Sequence, residues 1–160
     1  MPEIMPFGKC KGLSVEQIAL KDYSYFAYVL DNIPIKKRSL EERWEFVEYV
    51  ANHFKSKQAC GLPGCGNPAE HISVYHNYTM NYRGSSIDFV YCSKECFEKD
   101  PKVTDEPKAV LGPLAFRTAV SSTKTDTNGL IKIIAECMGI RKSRLTKEYL
   151  EDFFDNCQLR

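Results

Sequence analysis

At 160 residues, with 43% hydrophobic and 27% charged residues, the chain has the composition of one compact domain or a few small modules, not of a disordered tract. Its formal net charge of +1 excludes a global pull toward nucleic acid, so any such binding must come from local patches. No apolar run approaches the ~20 residues of a membrane-spanning helix, Met1-Pro2-Glu3-Ile4 lacks signal-peptide character, and an odd number of cysteines fits a reducing compartment, so a cytoplasmic protein is expected.

Residues 1–35 read as a first module. Gly8 and Gly12 bracket a short strand or turn that presents Lys9 and Lys11. Ser14 with Gln17 forms a capping box for one helical turn. Asp22 caps a second helix, in which Phe26, Val29, Leu30 and Ile33 recur at helical spacing, and Pro34 stops it. The two lysines suit phosphate contacts, and Tyr23, Tyr25 and Tyr28 offer stacking faces. The alternative is a glycine-shaped turn with solvated lysines and packed tyrosines.

The order Phe7-Gly8-Lys9-Cys10-Lys11-Gly12, then Ser14-Val15-Glu16-Gln17-Ile18, then Asp22-Tyr23-Ser24-Tyr25-Phe26-Ala27-Tyr28 resembles the exonuclease X-like C-terminal module over about residues 3–33. Gly8, Lys9, Lys11, Gly12 and Tyr25 match that pattern. Cys10 stands where an aromatic is usual, and Tyr28 where a tryptophan is common. The module is appended to DNA exonucleases and some helicases, so the resemblance implies association with nucleic acid, DNA more than RNA. It does not import the nuclease, whose spaced carboxylates have no counterpart here.

Residues 36–57 carry the clearest helical pattern. Ser39 with Glu42 reads as a second capping box, and Leu40, Trp44, Val47, Ala51 and Phe54 share one face with Phe46 and Val50 beside it. Arg43, Glu45, Glu48 and Asn52 point the other way. This is a connecting core helix; its alternative role is a stripe for a protein partner.

Residues 58–101 hold two cysteine hooks, Cys60-x4-Cys65 and Cys92-x3-Cys96, separated by 26 residues. Two thiolate pairs of this kind complete the four-sulfur shell of a closed structural Zn²⁺ site. Gly61, Pro63, Gly64 and Gly66 supply turns around the first hook. Ile72–Tyr75 and Ile87–Tyr91 read as strands with a turn at Asn81–Ser86, and Ser93–Lys99 as a short helix stopped by Pro101. Knuckle, hairpin and helix make a treble-clef-like plan, and Tyr91-Cys92-Ser93-Lys94-Glu95-Cys96 resembles the second half of MYM- or TRASH-type zinc fingers. The alternative is four unconnected, inert thiols. Glu70, His71 and His76 invite comparison with HNH nucleases, but the following helix lacks the further His or Asn such a metal site needs.

Residues 102–160 begin with a connector to Pro113, then read as a strand over Leu114–Val120 and a polar loop over Ser121–Asn128. Two helices follow, about Gly129–Met138, ended by Gly139, and about Thr146–Asn156, with Thr146 as cap and Leu145 poised to staple Leu150. Arg141, Lys142 and Arg144 lie between them. Ile131–Phe154 partly resembles a helix-turn-helix, against which Glu148, Glu151, Asp152 and Asp155 count, leaving a helical hairpin with a basic turn.

The expected fold is a small α+β modular zinc protein with a treble-clef-like unit and flanking helices. Cys60, Cys65, Cys92 and Cys96 are the expected metal ligands, and Lys9, Lys11, Arg141, Lys142 and Arg144 the nucleic-acid contacts. No catalytic constellation is present, so the expected function is non-enzymatic, accessory to DNA processing; a protein-interaction adaptor is the alternative.

Overall fold

The computed structural model describes residues 1–75, 90–100, 109–120, 124–141 and 143–160. The turn at Asn81–Ser86, His76, the strand before Val90, Pro101 and Lys142 lie outside the described residues. Among those described, no helix is long and apolar enough to cross a membrane.

The chain opens with a tight loop closed by an Ile4–Ser14 bridge. Met5 donates to the Leu13 carbonyl at 2.9 Å, and Gly12 returns a bond to the Met5 carbonyl at 3.0 Å. Gly8 and Gly12 sit at φ 77° and 89°, in the left-handed region that suits glycine. A Cβ on Gly8 would lie 2.8 Å from the Tyr25 hydroxyl, so this loop folds flat onto the helix that carries Tyr25.

Helix α1 (Val15–Lys21) starts in the expected capping box, with both the Ser14 and Gln17 bonds made. Helix α2 (Tyr23–Asn32) is capped by Asp22, which accepts from the Tyr25 amide. Helix α3 (Arg38–His53) departs from expectation at its start. It begins at Arg38 with Lys37 as N-cap and no side-chain cap bond, so the Ser39–Glu42 box is not formed. Ser39 is already inside the helix, and the Glu42 carboxylate accepts from Arg38 Nε at 2.8 Å instead.

An aromatic column joins these helices. Trp44 stacks on Phe26 at 4.9 Å, Phe26 on Tyr23 at 5.5 Å, and Tyr23 meets Phe116 edge-on at 5.6 Å. The Trp44 indole N–H donates to the Phe26 carbonyl, so the largest core side chain has no orphaned polar atom.

The face of α3 expected to look outward is in use. Arg43 pairs with the buried Glu16 of α1 and, at 2.6 Å, with Asp155. Glu48 and Asn52 accept from Arg117, which also reaches Asp31 of α2. Only Glu45 of the four stands fully exposed.

Strands β1 (His71–Tyr75), β2 (Val90–Tyr91) and β3 (Ala109–Pro113) form an antiparallel sheet in the order β2-β1-β3. Between β2 and β3 comes the short helix α4 (Lys94–Lys99). β3 corrects two readings: part of the presumed connector is the strand, and the presumed strand over Leu114–Val120 contains a 3-10 helix (Phe116–Ala119). Phe116 and Ala119 are buried three apart, the period of a 3-10 turn and not of a strand. That turn lies close against the sheet: a Cβ on Gly112 would meet Thr118 Cγ2 at 2.9 Å.

Helix α5 (Lys124–Met138) starts before the expected boundary at Gly129, taking in most of the presumed polar loop. Gly129 has nothing within 4 Å of its would-be Cβ, and fully buried Thr127, Leu130, Ile131 and Ile134 carry the helix through it. The helix ends as expected at Gly139 (φ 110°), where the Ile140 amide reaches back to the Ala135 carbonyl. Helix α6 (Lys147–Asp155) is capped by Thr146.

One apolar cluster runs from Met5 to Phe154 and includes Ala69, Ile72 and Val90 at the sheet. A second, small cluster surrounds Cys60 and Tyr91. The architecture is mixed helix and small sheet, an α+β protein.

Candidate metal centre

The first hook is a loop pinned at its base. Ala59 bridges Pro68, and the Cys60 amide donates to the Asn67 carbonyl at 2.7 Å. Gly64 and Gly66 take positive φ to turn the chain, and the Cys65 amide donates back to the Leu62 carbonyl. The Gly61 amide donates to the Val90 carbonyl at 2.6 Å, which ties this loop to the strand leading into the second hook.

The second hook spans a strand end and a helix start. Cys92 follows β2 directly, and Ser93 caps α4 by accepting from the Cys96 amide. Beneath the hooks, the buried Tyr91 hydroxyl donates to Asp100 at 2.6 Å, and the Tyr91 ring meets Phe97 edge-on. This tie between β2 and the end of α4 was not legible in the sequence: an aromatic in a short strand carries no mark of where its hydroxyl goes.

Cys60, Cys65, Cys92 and Cys96 converge, with all four sulfurs within 4.8 Å of one another. The Cys65–Cys92, Cys92–Cys96 and Cys96–Cys65 separations are 3.5, 3.6 and 3.8 Å. A tetrahedron of sulfurs ~2.3 Å from a central ion has edges of roughly 3.8 Å. A disulfide needs ~2.05 Å, and all seven cysteines are free thiols. The donor set and its spacing therefore fit a single four-coordinate metal ion, with no residue needing to move far.

The four thiols share one electrostatic environment. Burial, the largest influence on Cys92, acts to raise it, but hydrogen bonds from the Ser93 hydroxyl and the other thiols bring it down to about 7. Ser93 also acts to lower Cys96, yet its bond with Cys92, burial and the remaining thiols push it up to about 12. Burial raises Cys60. The Cys92 thiolate thus forms readily, while Cys60 and Cys96 hold their protons against it; a bound dication would displace those protons.

His71 lies on β1, opposite Tyr91 and Pro113, and is not among the four clustered ligands. Its Nδ1 is buried without a hydrogen-bond partner among the described residues. Glu70 is exposed.

The expected nucleic-acid contacts divide. Lys9 is held at 2.9 Å by Asp22 and lies 4.6 Å over the Tyr25 ring; the Asp22 bond raises its pKa. Lys11, Arg141 and Arg144 are exposed. Gln17 Nε2 donates to the Leu145 carbonyl at 3.0 Å, which fastens the start of α1 to the α5–α6 connection. The two basic segments, over a hundred residues apart in sequence, therefore flank the same short helix.

Comparison with protein-family models, curated proteins and solved structures finds no match to this chain.

Proposed function

We propose that the four cysteines hold one structural Zn²⁺ in a treble-clef-like unit, and that the chain is a non-enzymatic, nucleic-acid-associated protein accessory to DNA processing. The sulfur cluster carries the metal assignment: four sulfurs within 4.8 Å of one another would, as thiolates on one ion, leave no open position for substrate, the pattern of structural zinc and not of catalytic zinc. The zinc would fix the first hook, β2 and α4 as one body against the sheet.

The nucleic-acid assignment is supported by the exonuclease X-like pattern around Lys9 and Lys11 and by the exposed arginines of the α5–α6 connection. Phosphate contact would be made by Lys9, Lys11, Arg141, Lys142 and Arg144. Lys9, paired to Asp22, also holds the loop on α2.

A gel-shift titration with single- and double-stranded DNA and with RNA tests this reading. Binding should weaken steeply with salt, and Lys11→Ala or Arg144→Ala should each reduce the log–log salt slope by about 1. Absence of retention of any of these oligonucleotides at low salt would refute it.

A further inference from the structure

Between the C-terminal end of α1 and one face of α5 lies an open groove of about 800 Å³. Its floor is aliphatic, built from Leu20, Ile131, Ile140 and Leu145. Its edges carry Lys21, Lys132 and Arg141, all exposed, and among the described lining residues Glu136 is the one acid. From Asn128 to Glu136 the α5 wall runs roughly 12 Å, just over two turns.

We propose that this groove docks an acidic amphipathic helix from a partner protein. The helix would set aliphatic side chains at i, i+3, i+4 and i+7 on the floor and aim carboxylates at Lys21, Lys132 and Arg141. The chemistry selects this occupant in three ways. The aliphatic floor matches a helix's apolar stripe. The three cations stand on both walls, with Lys132 and Arg141 nine residues apart, and so fit a ligand with distributed negative charge better than one anionic headgroup. The described lining residues include no aromatic side chain on which a base would stack, and Glu136 opposes phosphate, which disfavours nucleic acid. This docking site goes beyond the nucleic-acid reading and shares only Arg141 with it. Lys21 and Lys132 are therefore the residues to change.

The test is a display library of helical segments of about 14 residues, four turns. The helix-patterned apolar positions are fixed, and the remaining positions are open to Asp, Glu, Lys or Arg. The full chain serves as bait, and enriched peptides are measured by fluorescence anisotropy. Acidic helices should be enriched, and Lys21→Glu/Lys132→Glu should weaken them about tenfold or more. The exposed control Lys99→Glu on α4 should leave binding unchanged. Both rim lysines are exposed, so an unchanged circular-dichroism spectrum verifies the fold of the variant. Enrichment of basic or neutral helices, no enriched helix, or indifference to the double reversal overturns the proposal. So does a self-association that the double reversal abolishes, since that names a different occupant.

Discussion

The helical core and the cysteine hooks differ in how much apolar surface each can bury. Around Trp44, Phe26, Tyr23 and Phe116 the side chains are fully buried, and their cluster draws on every helix but α4. Around Tyr91 the buried apolar members among the described residues are Cys60 and Tyr91 alone, with Leu62, Phe97, Leu111 and the other three thiols only partly covered. The first region has a hydrophobic core of its own; the second is the one that the proposed metal cross-link would hold closed. The contrast teaches that metal dependence in this protein should be regional.

The largest expected effect follows from that contrast. Cys60→Ser/Cys92→Ser removes half of the sulfur shell, and structural zinc supplies on the order of 10 kcal/mol to small domains that depend on it. Amide exchange across residues 58–70 and 90–100 should become fast, while α1, α2, α3 and α5 keep their protection. Loss of protection in both regions together would break the comparison.

In the helical core, Trp44→Ala should cost about 3–5 kcal/mol in urea unfolding, by opening a cavity beside Phe26. Arg43→Ala should approach that cost, because it leaves the fully buried Glu16 carboxylate without its cation. Metal content of both variants under native conditions should match the parent.

A smaller effect appears at alkaline pH. Burial pushes Tyr23 up to about 12 and Cys137 up to about 12. A raised pKa means that the folded state holds the proton longer than the unfolded chain does. This stability is complete below the unfolded values, near 10 for tyrosine and 9 for cysteine, and is lost as pH climbs toward 12. Tyr23 should contribute about 2 kcal/mol of that loss, and Tyr23→Phe should flatten the alkaline limb of the melting-temperature profile. An unchanged slope would place Tyr23 outside the core. Smallest of all, Thr146→Ala should cost about 1 kcal/mol by removing the cap on α6, with no change at the hooks.

Features with local causes were legible before any coordinates. The Ser14–Gln17 box, the Asp22 and Thr146 caps and the Gly139 stop each depend on residues within one turn, and each is formed. The cysteine hooks were legible because short spacing alone brings each pair's sulfurs together. Features with distant causes were hidden. β3 exists because β1 offers it an edge, and Gly112 and Pro113, which look like breakers, are what let the 3-10 turn pack on it. Gly129 stays helical because its neighbours are buried. Arg43, Glu48 and Asn52 looked solvent-facing because their partners, Glu16, Asp155 and Arg117, are more than twenty residues away in sequence.

The most direct test pairs elemental analysis of the purified chain with amide exchange before and after exhaustive chelation. The account predicts about one zinc per chain, lost on chelation together with protection of the two hooks, while the helical core stays closed. A chain that carries no metal yet protects both hooks, or whose hooks are unmoved when the metal leaves, would contradict it.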